Sequence, residues 1–74
     1  MSDTEFAQAR ARLAAGFPFD AFTICRAIVE RDPLHAEALH MLGSLCVRAD
    51  MIPTAGALLQ RAIALRPDLL PWRQ

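Results

Sequence analysis

Apolar residues recur in four blocks along the chain, each with the three-to-four-residue spacing of one helical face. The first block has Phe6, Ala9 and Leu13 at i, i+3 and i+7. The later blocks carry similar stripes: Ala21, Ile24, Cys25, Ile28 and Val29, then Leu39, Leu42, Leu45 and Cys46, then Ala55, Leu58, Leu59, Ala62 and Ile63. No run alternates with period two over the length of a strand. The pattern therefore predicts an all-α chain built from two antiparallel helical hairpins.

Helix-breaking residues separate the four blocks. Ser2 and Glu5 have the spacing of a capping box, and Gly16 is expected to end the first helix in the left-handed conformation. Pro18 suits the first turn of the second helix. The second and fourth helices are predicted to end at Asp32-Pro33 and Arg66-Pro67, because a residue before proline is disfavoured in a helix. The third helix is predicted to end at Ala49-Asp50, and Pro53 is predicted to open the fourth.

The second hairpin repeats the first with a 34-residue period. Ala21 and Ala55 stand at i and i+34, as do Pro33 and Pro67. A helix-turn-helix unit of this period resembles the tetratricopeptide repeat, whose pattern runs W-x2-L-G-x2-Y, A-x3-F, P. The second unit is identical to that pattern at Leu42, Gly43, Ala55 and Pro67 and apolar at Leu39, Cys46 and Leu59. Gly43 is expected to let the two helices approach closely, with Ala55 facing it.

The first unit departs from the family pattern in its first helix. That helix fits only if the following loop is one residue shorter than its counterpart, which places Arg10 where the pattern has glycine. A looser or shifted first hairpin is therefore expected. The resemblance implies one domain over residues 1–74, a short α-solenoid with repeat one at about 4–33, repeat two at about 34–67 and an apolar tail at 68–74. Repeat arrays generally need about three units for stability, so the chain is expected to work joined to something else.

Charge and composition exclude several classes of function. Eight arginines balance eight acidic residues, and this neutral chain lacks the basic excess that nucleic-acid binding needs. No apolar run reaches the length of a membrane-spanning helix, so no membrane span is predicted. The acidic N-terminus lacks the features of a signal peptide, which favours a cytoplasmic location.

Few residues offer catalytic or metal-binding chemistry. His35 and His40 are five residues apart and do not share a helical face, so no metal site is predicted. Cys25 and Cys46 lie on apolar stripes and are interpreted as small buried hydrophobic residues, with a redox pair as the less favoured alternative. The sequence therefore predicts a protein that is not an enzyme and has no cofactor.

The family resemblance implies a groove lined by the first helix of each hairpin, which holds an extended peptide or a partner helix. Its candidate residues are Arg10, Glu37, His40, Met41, Ser44 and Arg48. Arg10 and Arg48 could bind a carboxylate bidentately, although ordinary solvated side chains remain the alternative. Family members that clamp a C-terminal carboxylate use lysine and asparagine, and the chain has neither, so that activity is not expected.

The apolar tail is the second candidate surface. Leu69, Leu70 and Trp72 follow the last helix, and exposed apolar groups of this kind mark interfaces, so self-association is predicted. The tail could instead fold back over the second hairpin. The predicted function is a non-catalytic protein–protein interaction module. The alternative is an N-terminal segment of a larger bacterial enzyme, such as the sulfotransferases and glycosyltransferases that carry similar repeats.

Overall fold

A computed structural model describes residues 2–68 of the chain, with the side chains of residues 4–68. Within that range the chain forms four helices and no strand: α1 (Ser2–Ala14), α2 (Pro18–Arg31), α3 (Ala36–Arg48) and α4 (Ile52–Leu65). Helix α1 packs against α2, α3 packs against α4, and α2 joins the two pairs by packing against α3. The prediction of an all-α chain with four helices is confirmed.

The helix bounds themselves follow the 34-residue period. The first and last residues of α3 lie 34 positions after those of α1, and the same holds for α4 and α2. The two connecting loops, 15–17 and 49–51, are therefore equal in length, and the expected one-residue shortening of the first loop is wrong. In this register Ala9 corresponds to Gly43, and both are buried, whereas Arg10 is exposed. Alanine is the next smallest residue after glycine, so α1 can pack closely at this position without a shorter loop.

Helices α1 and α3 end in the same backbone motif. Gly16 has a φ of 92°, and its N–H donates to the carbonyl of Leu13 at 3.1 Å while the N–H of Phe17 donates to Arg12 at 2.9 Å. These two bonds define a Schellman motif, in which a left-handed residue closes the helix. The same pair of bonds closes α3 around Asp50, whose φ is 64°. The predicted role of Gly16 is confirmed, and Asp50 adopts a conformation that glycine tolerates better.

Helix α3 begins with a side-chain cap. The Nδ1 atom of His35 accepts a hydrogen bond from the backbone N–H of Ala38 at 3.1 Å. Side-chain acceptors at this position satisfy an N–H group that the helix leaves unpaired. His35 therefore has a structural role that its spacing from His40 does not indicate.

The core is centred on α3. Its buried residues face both α2 and α4: Ala36, Ala38, Leu39, Leu42, Gly43, Leu45 and Cys46. A Cβ atom placed on Gly43 would lie 2.8 Å from Cγ of Leu59 and 3.3 Å from the carbonyl oxygen of Ala55. The predicted close approach of the two helices at Gly43, with Ala55 opposite, is confirmed.

Candidate partner-binding site

Helices α1 and α3 line a shallow depression with a volume of about 250 Å³. We call it the α1–α3 groove, and its lining residues are Phe6, Arg10, Glu37, His40 and Met41. Four of the six predicted binding residues therefore meet in one place. They come from two helices that are separated in the chain by α2, so this juxtaposition is a property of the fold.

Phe6 is a groove residue that sequence reasoning assigns to the repeat interface. Its side chain is half-buried, and its ring centroid lies 5.3 Å from that of His35. Phe6 and Arg10 are four residues apart on α1 and therefore share a face. That spacing could have identified Phe6 as a neighbour of the predicted site.

The predicted polar stripe on α3 is divided between two depressions. Arg48 lies in a second concavity of about 260 Å³, together with Pro18, Phe19, Leu45 and Ala49. Ser44 is half-buried and lines neither depression. Seven residues separate Met41 from Arg48, which corresponds to about 10 Å along the helix. The candidate site is thus a groove with an arginine placed two helical turns beyond it.

Most of the described arginines already have a polar partner. The pairs are Arg26 with Glu30 at 3.5 Å, Arg31 with Glu5, Arg66 with Asp68 at 3.0 Å, and Arg61 with the carbonyl of Pro33 at 3.3 Å. Arg10, Arg12 and Arg48 form no ion pair with another described residue. Arg12 lies beside Asp20 in a depression between α1 and α2. The two predicted carboxylate ligands therefore have no ionic partner among the described residues: Arg10 lines the α1–α3 groove, and Arg48 lies in the concavity beside Pro18 and Phe19 of α2.

The charge of the groove comes from Arg10 and Glu37. Burial lowers the pKa of His40, because the charged imidazolium loses hydration there. His40 is therefore mainly neutral at pH 7 and can act as a hydrogen-bonding group beside the apolar side chains of Phe6 and Met41.

Both cysteines are buried free thiols, as the sequence predicts. Burial raises the pKa of Cys25 from 9.0 to about 11 and also raises the pKa of Cys46. Since the thiolate is the reactive form, these environments disfavour nucleophilic or redox chemistry near pH 7.

Three other features bear on the predicted classes of function. Within residues 2–68 no three His, Cys, Asp or Glu side chains are grouped so that they could hold a metal ion. None of the four helices is long and apolar enough to cross a bilayer. The residues predicted for self-association, Leu69, Leu70 and Trp72, lie outside the described residues.

Comparison of the chain with protein-family models, with curated proteins and with solved structures gives no match. The resemblance to the tetratricopeptide repeat therefore depends on the motif residues and on the 34-residue period.

Proposed function

We propose that this chain is a non-catalytic protein–protein interaction module made of two stacked tetratricopeptide-like hairpins. The groove between α1 and α3 is its binding surface for an extended peptide or a partner helix. Two observations support the proposal: helix bounds that recur with a 34-residue period, and the equivalent Schellman motifs at Gly16 and Asp50. The proposed location is the cytoplasm, and self-association through Leu69, Leu70 and Trp72 stays a prediction.

The charge of the proposed ligand is inferred from which arginines lack an ion-pair partner. Arg10 in the α1–α3 groove and Arg48 between α3 and the start of α2 have no ion pair among the described residues, whereas Arg26, Arg31 and Arg66 are paired. A guanidinium group presents a fork of donors that matches a carboxylate, so an acidic group is the complementary ligand.

The spacing of the site defines the ligand further. Phe6 and Met41 offer apolar contact in the groove, and Arg48 lies about 10 Å farther along α3. An extended peptide covers this distance with about three residues. The ligand is therefore an acidic peptide with an apolar side chain about three residues from an Asp or Glu.

Selection from a random peptide display library tests this ligand class. Synthetic peptides from the enriched clones are titrated against the intact chain and against Arg10→Ala and Arg48→Ala. Loss of one charged hydrogen-bonding partner is expected to weaken binding by about tenfold or more. Arg26→Ala is the matched control, because Arg26 is also exposed but pairs with Glu30 on α2 and is expected to leave the affinity unchanged.

Two results would contradict the proposal. One is a selection without enrichment of acidic peptides. The other is equal binding by the Arg10, Arg48 and Arg26 variants, since the groove arginines would then contribute no more than an ordinary surface charge.

A further inference from the structure

The pair of helices α3 and α4 presents an apolar surface on the side away from α1 and α2. We call this surface the outer face, and it consists of Val47 on α3 with Ile52, Leu59 and Ile63 on α4. The side chains of Val47, Ile52 and Ile63 are 47%, 53% and 41% exposed, and Leu59 is half-buried over Gly43. The three α4 residues are spaced at i, i+7 and i+11, so they line one side of the helix.

The corresponding positions of the first pair are covered. Shifting Val47, Leu59 and Ile63 by the 34-residue period gives Leu13, Cys25 and Val29. Cys25 belongs to the core cluster that contains Leu42 and Leu45 of α3, and Leu13 and Val29 pack against that cluster. In the first pair, helix α3 therefore covers this surface. In the second pair, the equivalent surface is the outer face.

Charge does not oppose a contact between two outer faces. Helix α4 carries one charged residue, Arg61. Its guanidinium donates to the carbonyl of Pro33, in the loop between α2 and α3, at 3.3 Å and is therefore directed toward that loop. Two outer faces can therefore approach without placing like charges against each other.

The outward side of α1 is a poor partner for the outer face. On α3, the equivalent side carries Met41, Leu42 and Leu45, which lie at the junction of the two pairs. In α1 these positions are Ala7, Gln8 and Ala11, all exposed. A second copy stacked head to tail would thus offer small and polar side chains, whereas a copy related by two-fold symmetry offers another apolar face.

We propose that the outer face binds the outer face of a second copy of this chain, forming a symmetric dimer in which the two α4 helices run antiparallel. A 14-residue helix is about 21 Å long, and two neighbouring helices span about 20 Å, so the face measures about 400 Å². A stable interface buries about 800 Å² per partner. The dimer is accordingly weak, and it forms at protein concentrations in the micromolar range or above.

Sedimentation velocity over a dilution series of about 1 to 500 µM tests the dimer. The mass of the unmodified chain is expected to rise from monomer to dimer and to stop there. Ile63→Glu and Val47→Glu place a carboxylate on the face and are expected to remain monomeric throughout. Leu34→Glu is the control, since Leu34 is 70% exposed in the loop between α2 and α3 and its variant is expected to dimerise normally. Far-ultraviolet circular dichroism of the same samples checks that each variant is folded.

Cysteine cross-linking tests the orientation without depending on the charged variants. Gly56 lies among the α4 residues of the outer face, and a Cβ there meets no atom within 4 Å. Two antiparallel α4 helices bring Gly56 near its own copy, so Gly56→Cys is expected to form a covalent dimer under mild oxidation. Ala57→Cys, on another side of α4, is the matched control and is expected to cross-link much more slowly.

Three outcomes would overturn the proposal. A monomer at every concentration would indicate that the outer face binds the segment after Asp68 or a different protein, and not a second copy. Open-ended oligomers would indicate head-to-tail stacking, and equal cross-linking at positions 56 and 57 would place the contact elsewhere. None of these variants alters the α1–α3 groove, so failure of the dimer is distinguishable from failure of peptide binding.

Discussion

The α1–α2 and α3–α4 pairs have the same helix bounds in a 34-residue register but differ in what surrounds their first helix. Helix α3 lies between α2 and α4 and buries seven residues, whereas the described part of α1 fully buries Ala9 alone. Two helix pairs with the same backbone arrangement therefore bury different numbers of side chains and contribute differently to stability. Burial depends on how many neighbours a helix has, and α3 has one on each side.

Truncation at equivalent positions tests this difference most strongly. Leu39 is fully buried, and its counterpart one period earlier is Glu5, which is partly exposed and pairs with Arg31. Leu39→Ala is expected to reduce the free energy of unfolding by about 2–5 kcal/mol, because it removes core contacts and leaves a cavity. Glu5→Ala is expected to cost less than about 1 kcal/mol, as for other exposed ion pairs. Urea denaturation measures both, and equal losses would contradict the central position of α3.

Alkaline pH probes the burial of Cys25, whose counterpart one period later, Leu59, has no ionisable group. Burial holds the folded-state pKa of Cys25 at about 11, against 9.0 for an exposed thiol, so the folded state retains a proton that the unfolded state releases. This contribution is complete below pH 9 and is lost as the pH rises through 11, with a magnitude of about 3 kcal/mol.

The composition makes this titration easy to observe. The chain has no tyrosine and no lysine, so its two cysteines are the side chains that release protons at alkaline pH below the range of arginine. Denaturation series at pH 8, 9, 10 and 11 should show a free energy of unfolding that falls with pH. The fall per pH step should be clearly smaller for Cys25→Ala. An unchanged slope would show that the burial of Cys25 does not control its ionisation.

Glycine positions on the two helices of the second pair separate packing from helix propensity. Gly43→Val is expected to lower stability by about 2 kcal/mol, because its Cβ would lie 2.8 Å from Cγ of Leu59. Gly56→Ala is expected to raise stability by about 0.5–1 kcal/mol, because the new methyl meets no atom and alanine favours a helix. Thermal unfolding compares them, and a stable Gly43→Val variant would contradict the close approach of α3 and α4.

The smallest effects are expected at the two Schellman motifs. Gly16→Ala is expected to cost about 1 kcal/mol, since a side chain is disfavoured at a φ of 92°. Asp50→Gly should stabilise the chain by about 0.5 kcal/mol, because Asp50 holds a φ of 64°. Thermal unfolding measures both, and changes of the same sign at the two positions would show that the turns are not equivalent.

Much of the fold could be predicted from the sequence because its boundaries are set by local chemistry. Gly16 and Pro18 act through backbone conformation alone, and Gly43 with Ala55 reports a close approach between neighbouring helices. The prediction of a shorter first loop is wrong because it aligns Phe6 and Leu13 with aromatic positions of the family pattern. The simpler match of Ala9 to Gly43 keeps the two loops equal.

The candidate site is less accessible to sequence reasoning. A helical stripe shows which residues share a face of one helix, so Glu37, His40 and Arg48 could be grouped on α3. It does not show which other helix lies beside each of them. The division of Arg48 from the groove, and the place of Phe6 within it, depend on how α1 and α2 pack around α3.

The proposal that the α1–α3 groove binds an acidic peptide is tested most directly by mapping the bound peptide residue by residue. Titration of a selected peptide into the 15N-labelled chain, followed by heteronuclear NMR, measures this. The largest shifts are expected at Arg10, His40 and Met41, with smaller ones near Arg48 and none at Ile63 beyond those caused by dilution. Shifts centred on the outer face, or no shifts at saturating peptide, would contradict the proposed function.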